Sequence, residues 1–225
     1  MVQASTSDRD TVMAELRTHC EKRIANRDNC KVIYTSKKEQ LTVWEQYEED
    51  GTYGDVSILT VPDVSLEQLG LIFGDITQFV AWNNKFDESS EMKLLEDLGD
   101  NKYYISIKAG LPWPMSNRTA IVTLYKDMEE KDGGSTDLMT TKGNEAKVEQ
   151  YKDIIGKDVV PEFRFVYNTV RPTDDGKGFV YTATNCFSLG GSVPKSVMNM
   201  LIKQGCADLE RFAKQVREDA AKLSQ

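Results

Sequence analysis

A cysteine beside a histidine is the smallest pair from which a chain can build an activated nucleophile, and here the only histidine, His19, adjoins Cys20. Such a dyad needs its base within hydrogen-bond reach of the thiol. The surrounding residues have helical spacing, and neighbours on a helix point in different directions, so His19 reads as a surface residue. Cys20, Cys30, Cys186 and Cys206 lie far apart, with no short metal-knuckle spacing. They read as free thiols of a reducing compartment. No Gly-x-Ser-x-Gly elbow, phosphate loop or dinucleotide fingerprint occurs in the sequence. The acidic pairs Glu48-Glu49 and Glu129-Glu130 flank turns, where solvated charge accounts for them. The sequence therefore marks no catalytic residue, no metal ligand and no cofactor site.

Binding chemistry is better marked. Leu111-Pro112-Trp113-Pro114-Met115-Ser116 lies between two strand-like runs and sets a tryptophan between two prolines. Prolines fix an extended loop that cannot join a hydrogen-bonded ladder. One reading is a rigid turn with Trp113 packed inward. The other is a stiff loop whose apolar tip shields a cavity mouth and touches lipid, a boundary that suits tryptophan. Several strands alternate so that both faces are half apolar: Tyr103, Ile105 and Ile107 oppose Tyr104, Ser106 and Lys108. That pattern fits a core on one side and a ligand chamber on the other, and it also fits ordinary packing.

The positioning elements follow from periodicity. Ser7 or Asp8 caps a first helix, over about 8–28, with Val12, Met13, Leu16, Cys20 and Ile24 on one face and Asn29 at its end. Strands are expected over 30–36, 41–47 and 56–61. Ser65 then starts a helix over Leu66, Leu69, Ile72 and Phe73, and a second helix spans 75–82. Six strands follow over 91–96, 102–109, 118–128, 136–142, 163–171 and 179–188, with turns at Gly99-Asp100-Asn101, Asp132-Gly133-Gly134 and Asp174-Asp175-Gly176. A short surface helix falls between Glu145 and Ile155. After Gly190-Gly191-Ser192-Val193-Pro194 comes a long helix over about 194–223, with Val197, Met198, Leu201, Ile202, Cys206, Leu209, Phe212, Ala213 and Val216 on one face. At ~1.5 Å per residue it is ~45 Å long, enough to cross a sheet. Short polar turns imply antiparallel pairing.

The length of 225 residues suits one domain over 1–225, and 40% hydrophobic residues suffice for a core. A formal charge of −8 argues against nucleic acid and against constitutive binding to anionic membrane. The first residues lack the apolar core of a signal peptide, and no run reaches the ~20 apolar residues of a membrane span. A soluble, cytoplasmic monomer is expected.

Five segments, in order, resemble the motifs of the steroidogenic-acute-regulatory-related lipid-transfer (START) domain, within the helix-grip superfamily. Val61-Pro62-Asp63-Val64-Ser65-Leu66-Glu67-Gln68-Leu69 is similar to the start of its first inner helix. Asp75-Ile76 through Ala81-Trp82-Asn83 is similar to its "D…R…W(D/N)" stretch. Pro112-Trp113-Pro114-Met115-Ser116-Asn117-Arg118 resembles its "PWPVSPRD", Val170-Arg171-Pro172 its "IRP", and Gly190-Gly191-Ser192-Val193-Pro194-Lys195-Ser196-Val197 with Asn199 its "GGWIPKxxxN". The likeness covers about 32–217. Asn117 and Thr119 depart from the family's proline and aspartate around Arg118. Leu124 stands where sterol-binding members carry a second arginine, and Lys85 is the basic residue near the position that phospholipid-binding relatives use.

The resemblance implies an α+β helix-grip fold: a curved antiparallel sheet of about nine strands wrapped around a long C-terminal helix, enclosing a hydrophobic tunnel. It makes Leu111, Pro112, Trp113, Pro114 and Met115 the gate loop and the last helix the lid. The expected ligand is one lipid, phospholipid or sterol, carried between membranes or sensed. Met198, Leu201 and Ile202 would line its path, and Lys108, Arg118 or Arg164 would meet its headgroup, although Arg118 can equally serve as a structural salt-bridge partner. Trp113, Lys195 and Lys203 would touch the membrane transiently. The alternatives are a cyclase or hydrolase of the same superfamily, and a ligand-controlled module that signals to a protein partner.

Overall fold

A computed structural model describes residues 6–128 and 133–223. Nine antiparallel strands form one continuous sheet: β1 (Lys31–Ser36), β2 (Leu41–Glu45), β3 (Gly54–Val61), β4 (Ser90–Asp97), β5 (Lys102–Ala109), β6 (Arg118–Met128), β7 (Ser135–Thr140), β8 (Glu162–Pro172) and β9 (Phe179–Ser188). Their order is β1-β2-β3-β9-β8-β7-β6-β5-β4. The early three strands and the late six thus meet at one seam, β3 against β9, with Asp55 opposite Asn185 and Leu59 opposite Tyr181.

Inside the curve lie α2 (Leu66–Phe73), α3 (Ile76–Phe86) and the 29-residue α6 (Lys195–Leu223). The chain writes both short helices with capping boxes. Ser65 Oγ accepts from the Gln68 N–H while Gln68 Oε1 accepts from the Ser65 N–H. Asp75 Oδ1 accepts from the Thr77 and Gln78 N–H groups, and Gln78 Oε1 returns the bond to Asp75. Each box satisfies donors that a helix start otherwise leaves unpaired. Gly190 and Gly191, at φ 67° and 62°, make the turn from β9 toward α6 in the left-handed region that glycine enters without strain.

The concave face packs Leu41, Val43, Leu59, Val61 and Phe179 against Cys206, Ala213, Val216 and Ala220 of α6. At ~1.5–3 kcal/mol for each large side chain fully buried, this patch holds the C-terminal half of α6 firmly. Arg217 reinforces it, donating to Glu39 at 2.5 Å and Asp63 at 2.8 Å. The N-terminal half of α6 is different: Val197, Met198, Leu201 and Ile202 are only half-buried.

The first helix, α1 (Thr6–Ala25), covers the convex face, where Met13 and Cys20 pack on Leu138, Phe165, Tyr167 and Cys186. It begins before Ser7 and Asp8, which stand in its first turn rather than capping it. It ends before Asn29, which closes a separate single turn over Arg27–Asn29. The anticipated surface helix is two short ones, α4 (Glu145–Gln150) and α5 (Lys152–Ile155), also on the convex side. Glu129, Glu130 and Asp132 lie outside the described residues.

Candidate ligand cavity

A cavity of about 280 Å³ lies between the concave face of the sheet and α2, α3 and α6. Its helical wall is aromatic, with Phe73, Phe79, Trp82, Phe86 and Phe212. Trp82 stacks on Phe86 at 4.9 Å and meets Phe73 edge-on at 4.9 Å, while Tyr181 lies 5.5 Å from Phe212. The Trp82 indole N–H donates to Asp219 at 3.0 Å, which fixes the ring against α6.

The sheet wall is polar in one transverse row. Lys126 on β6 faces Asp137 on β7, which faces Asn168 on β8. Tyr181 donates its hydroxyl to Asn168 Oδ1 at 2.9 Å. Burial raises the Tyr181 pKa far above the ordinary phenol range, so it remains a donor. Burial also raises the Asp137 pKa, with Lys126 pulling the other way. Asp137 Oδ1 is shut off from solvent and has no hydrogen-bond partner, a costly state for a carboxylate. Lys126 turns its ammonium over the Phe79 ring, 4.3 Å from the centroid. Further along the concave face, Asp55 accepts from Asn185 at 3.1 Å, and burial lifts its pKa from 3.8 to about 6.

The headgroup candidates named from sequence sit elsewhere. Lys108 is on the opposite side of the sheet from the cavity, paired with Asp158 at 3.0 Å, because β5 alternation sends Ile105 and Ile107 inward instead. Arg164 falls at the β8 bulge and pairs with Asp50 at 2.6 Å. Arg118 is 5% exposed and spends its guanidinium on three carbonyls, those of Ser116, Leu189 and Gly190. Met198 lines a separate depression of about 290 Å³ with Tyr53 and Phe187. Leu201 and Ile202 are half-buried on α6 and are not among the residues lining the aromatic cavity.

The loop over 110–117 does not pack its tryptophan inward: Trp113 is 92% exposed. Pro112 and Pro114 are exposed beside it, and Leu111 and Met115 are half-buried at its flanks. Lys195 and Lys203 are exposed on α6. The segment 144–160 braces this loop from behind. The Val159 N–H donates to Asn117, the Thr119 N–H donates to Val159, and Asp158 accepts from the Thr119 hydroxyl at 2.7 Å. Asn144 anchors the other end, accepting from Thr123 and donating to the Ile121 carbonyl.

Sequence reasoning missed the row of Lys126, Asp137 and Asn168. The available signal was an aspartate inside a strand, a position that aspartate usually avoids. Among the described residues, no three His, Cys, Asp or Glu side chains gather as a metal site, and no helix is long and apolar enough to cross a membrane.

No family model matches the chain, and no curated protein matches it by sequence. Solved structures do. Human StAR-related lipid transfer protein 5 is 12% identical with a TM-score of 0.70, covering 96% of both chains. Human STARD10 is 16% identical with a TM-score of 0.66, covering 99% of this chain and 82% of that one. A STAR-related lipid transfer protein from Xanthomonas axonopodis is 18% identical with a TM-score of 0.61, covering 84% and 98%. Over nearly its whole length, then, the chain has the helix-grip fold of the StAR-related lipid-transfer domains.

Proposed function

We propose that the protein holds one lipid molecule in the aromatic cavity and carries it between membranes. The observation that carries this reading is the cavity itself: apolar and aromatic on three helices, polar in one row, and covered by α6 at Phe212. The fold it shares with proteins named for lipid transfer supports the same reading. Left dry and empty, 280 Å³ of cavity costs up to about 7 kcal/mol at ~24 cal/mol per Å³. Water entering along the polar row lowers that figure, and an apolar ligand removes what remains.

Exchange requires α6 to lift Phe212 from the cavity, against the Arg217 pairs and the Trp82–Asp219 bond that hold this half of the helix. Trp113 enters the interfacial layer, and Lys195 and Lys203 meet headgroup phosphates against an acidic background. The protein works as a monomer in the cytoplasm, in keeping with its four free cysteines.

A second reading, an enzyme of the same fold acting on a hydrophobic substrate, draws on Asp137 and Asp55, whose raised pKa values suit proton transfer. Transfer of a labelled lipid from donor to acceptor vesicles decides between them. Protein-dependent movement of unchanged lipid supports carriage. Chemical conversion of the lipid supports the enzyme, and no movement contradicts carriage.

A further inference from the structure

We propose that the cavity selects a neutral lipid with a free hydroxyl over a phospholipid, and that Lys126 and Asp137 hold that hydroxyl from two sides. The proposal rests on the lipid-binding reading above and concerns what that site prefers.

Directly opposed residues on antiparallel strands hold their Cβ atoms ~4.5–5.5 Å apart, close enough for a lysine and an aspartate to pair. Lys126 and Asp137 are opposed in this way. Yet the Lys126 ammonium lies over Phe79, and Asp137 Oδ1 has no partner at all. Asn168 gives its oxygen to Tyr181, and its amide nitrogen has no partner among the described residues. The row thus offers an acceptor lacking a donor beside donors lacking an acceptor, on the wall of an apolar cavity.

A hydroxyl satisfies both needs with one atom group: its O–H donates to Asp137, and its oxygen accepts from Lys126 or Asn168. A phosphodiester fits poorly. It offers acceptors only, and its negative charge would stand against Asp137, with Asp55 further along the same face. A quaternary ammonium has no N–H to give Asp137 and would confront Lys126. The alcohol end of a sterol or a diacylglycerol has the required chemistry, with an apolar body for the aromatic wall.

The test is a competition read by native mass spectrometry. The protein is incubated with phosphatidylcholine vesicles containing equal amounts of cholesterol and its O-methyl ether, and separately with a diacylglycerol and its O-methyl ether. The alcohol should be captured over the ether, and over phosphatidylcholine, by about ten-fold or more. Asp137→Leu should lose the preference for alcohol over ether. Lys126→Met, which keeps the apolar stem, should reduce it several-fold and serves independently if the first variant fails to fold. Equal capture of alcohol and ether, predominant capture of phosphatidylcholine, or an undiminished preference in the variants overturns the proposal and leaves lipid carriage standing. Capture of no lipid overturns both.

Discussion

Arg118 Nε donates to the Leu189 carbonyl at 2.6 Å, joining the foot of the exposed tryptophan loop to the linker that leads into α6. The same guanidinium holds Ser116 at 2.5 Å and Gly190 at 3.2 Å. Loop and linker therefore share one fastening, and Val159 pairs strand-like beside Arg118. The loop over 110–117 and the linker before α6 are thus tied to one another through a single side chain.

Arg118→Ala leaves three part-buried carbonyls without the donor that holds them. It should lower unfolding free energy by about 3 kcal/mol. Arg118→Lys should recover only part of this, since an ammonium cannot reproduce the planar fork. Urea titration at constant m-value reads both. A wild-type midpoint in the alanine variant would show that the fastening contributes nothing.

Asp55 gives the protein a pH-dependent weakness. Burial raises its folded pKa from 3.8 to about 6, so the native state binds the proton more tightly than the unfolded chain does. Stability from this group is present below pH ~4 and is lost as pH rises to about 6. The loss is at most about 3 kcal/mol. Asp55→Asn should therefore be more stable than wild type at pH 7, with the difference shrinking toward pH 4. Parallel stability curves for the two proteins would contradict this assignment.

Trp113 is so exposed that its packing contributes little to the fold. Trp113→Ala should keep unfolding free energy within ~0.5 kcal/mol yet slow vesicle-to-vesicle transfer several-fold. Vesicle co-sedimentation of the empty protein checks the membrane step by itself. Unchanged transfer and sedimentation would remove Trp113 from the proposed membrane contact.

Met139 lines the cavity beside the polar row. Met139→Trp should fill much of the space and block lipid uptake. Because the new ring occupies a void, the empty variant should avoid most of the ~1–3 kcal/mol that overpacking a tight core costs. Calorimetry of empty protein, together with lipid extraction, reads both effects. Full lipid uptake by this variant would place the ligand elsewhere.

Much of this fold is legible in the residues. Period-two runs locate the nine strands to within a few residues, and Ser65 announces α2 by chemistry that acts over three residues. The polar row is not legible, because Lys126, Asp137 and Asn168 become neighbours only through β6–β7–β8 pairing. Lys108 illustrates the same limit. Alternation groups it with Tyr104 and Ser106, but only the packing of α3 on Ile105 reveals that theirs is the convex face. Local signals fix elements; the sheet's long-range register decides which of two faces becomes the site.

The most direct measurement is native mass spectrometry of the purified protein before and after incubation with mixed-lipid vesicles. One lipid mass per chain, removed by Met139→Trp, is the result expected of a carrier whose ligand occupies the aromatic cavity. A chain that stays at its bare mass in both conditions would contradict lipid carriage.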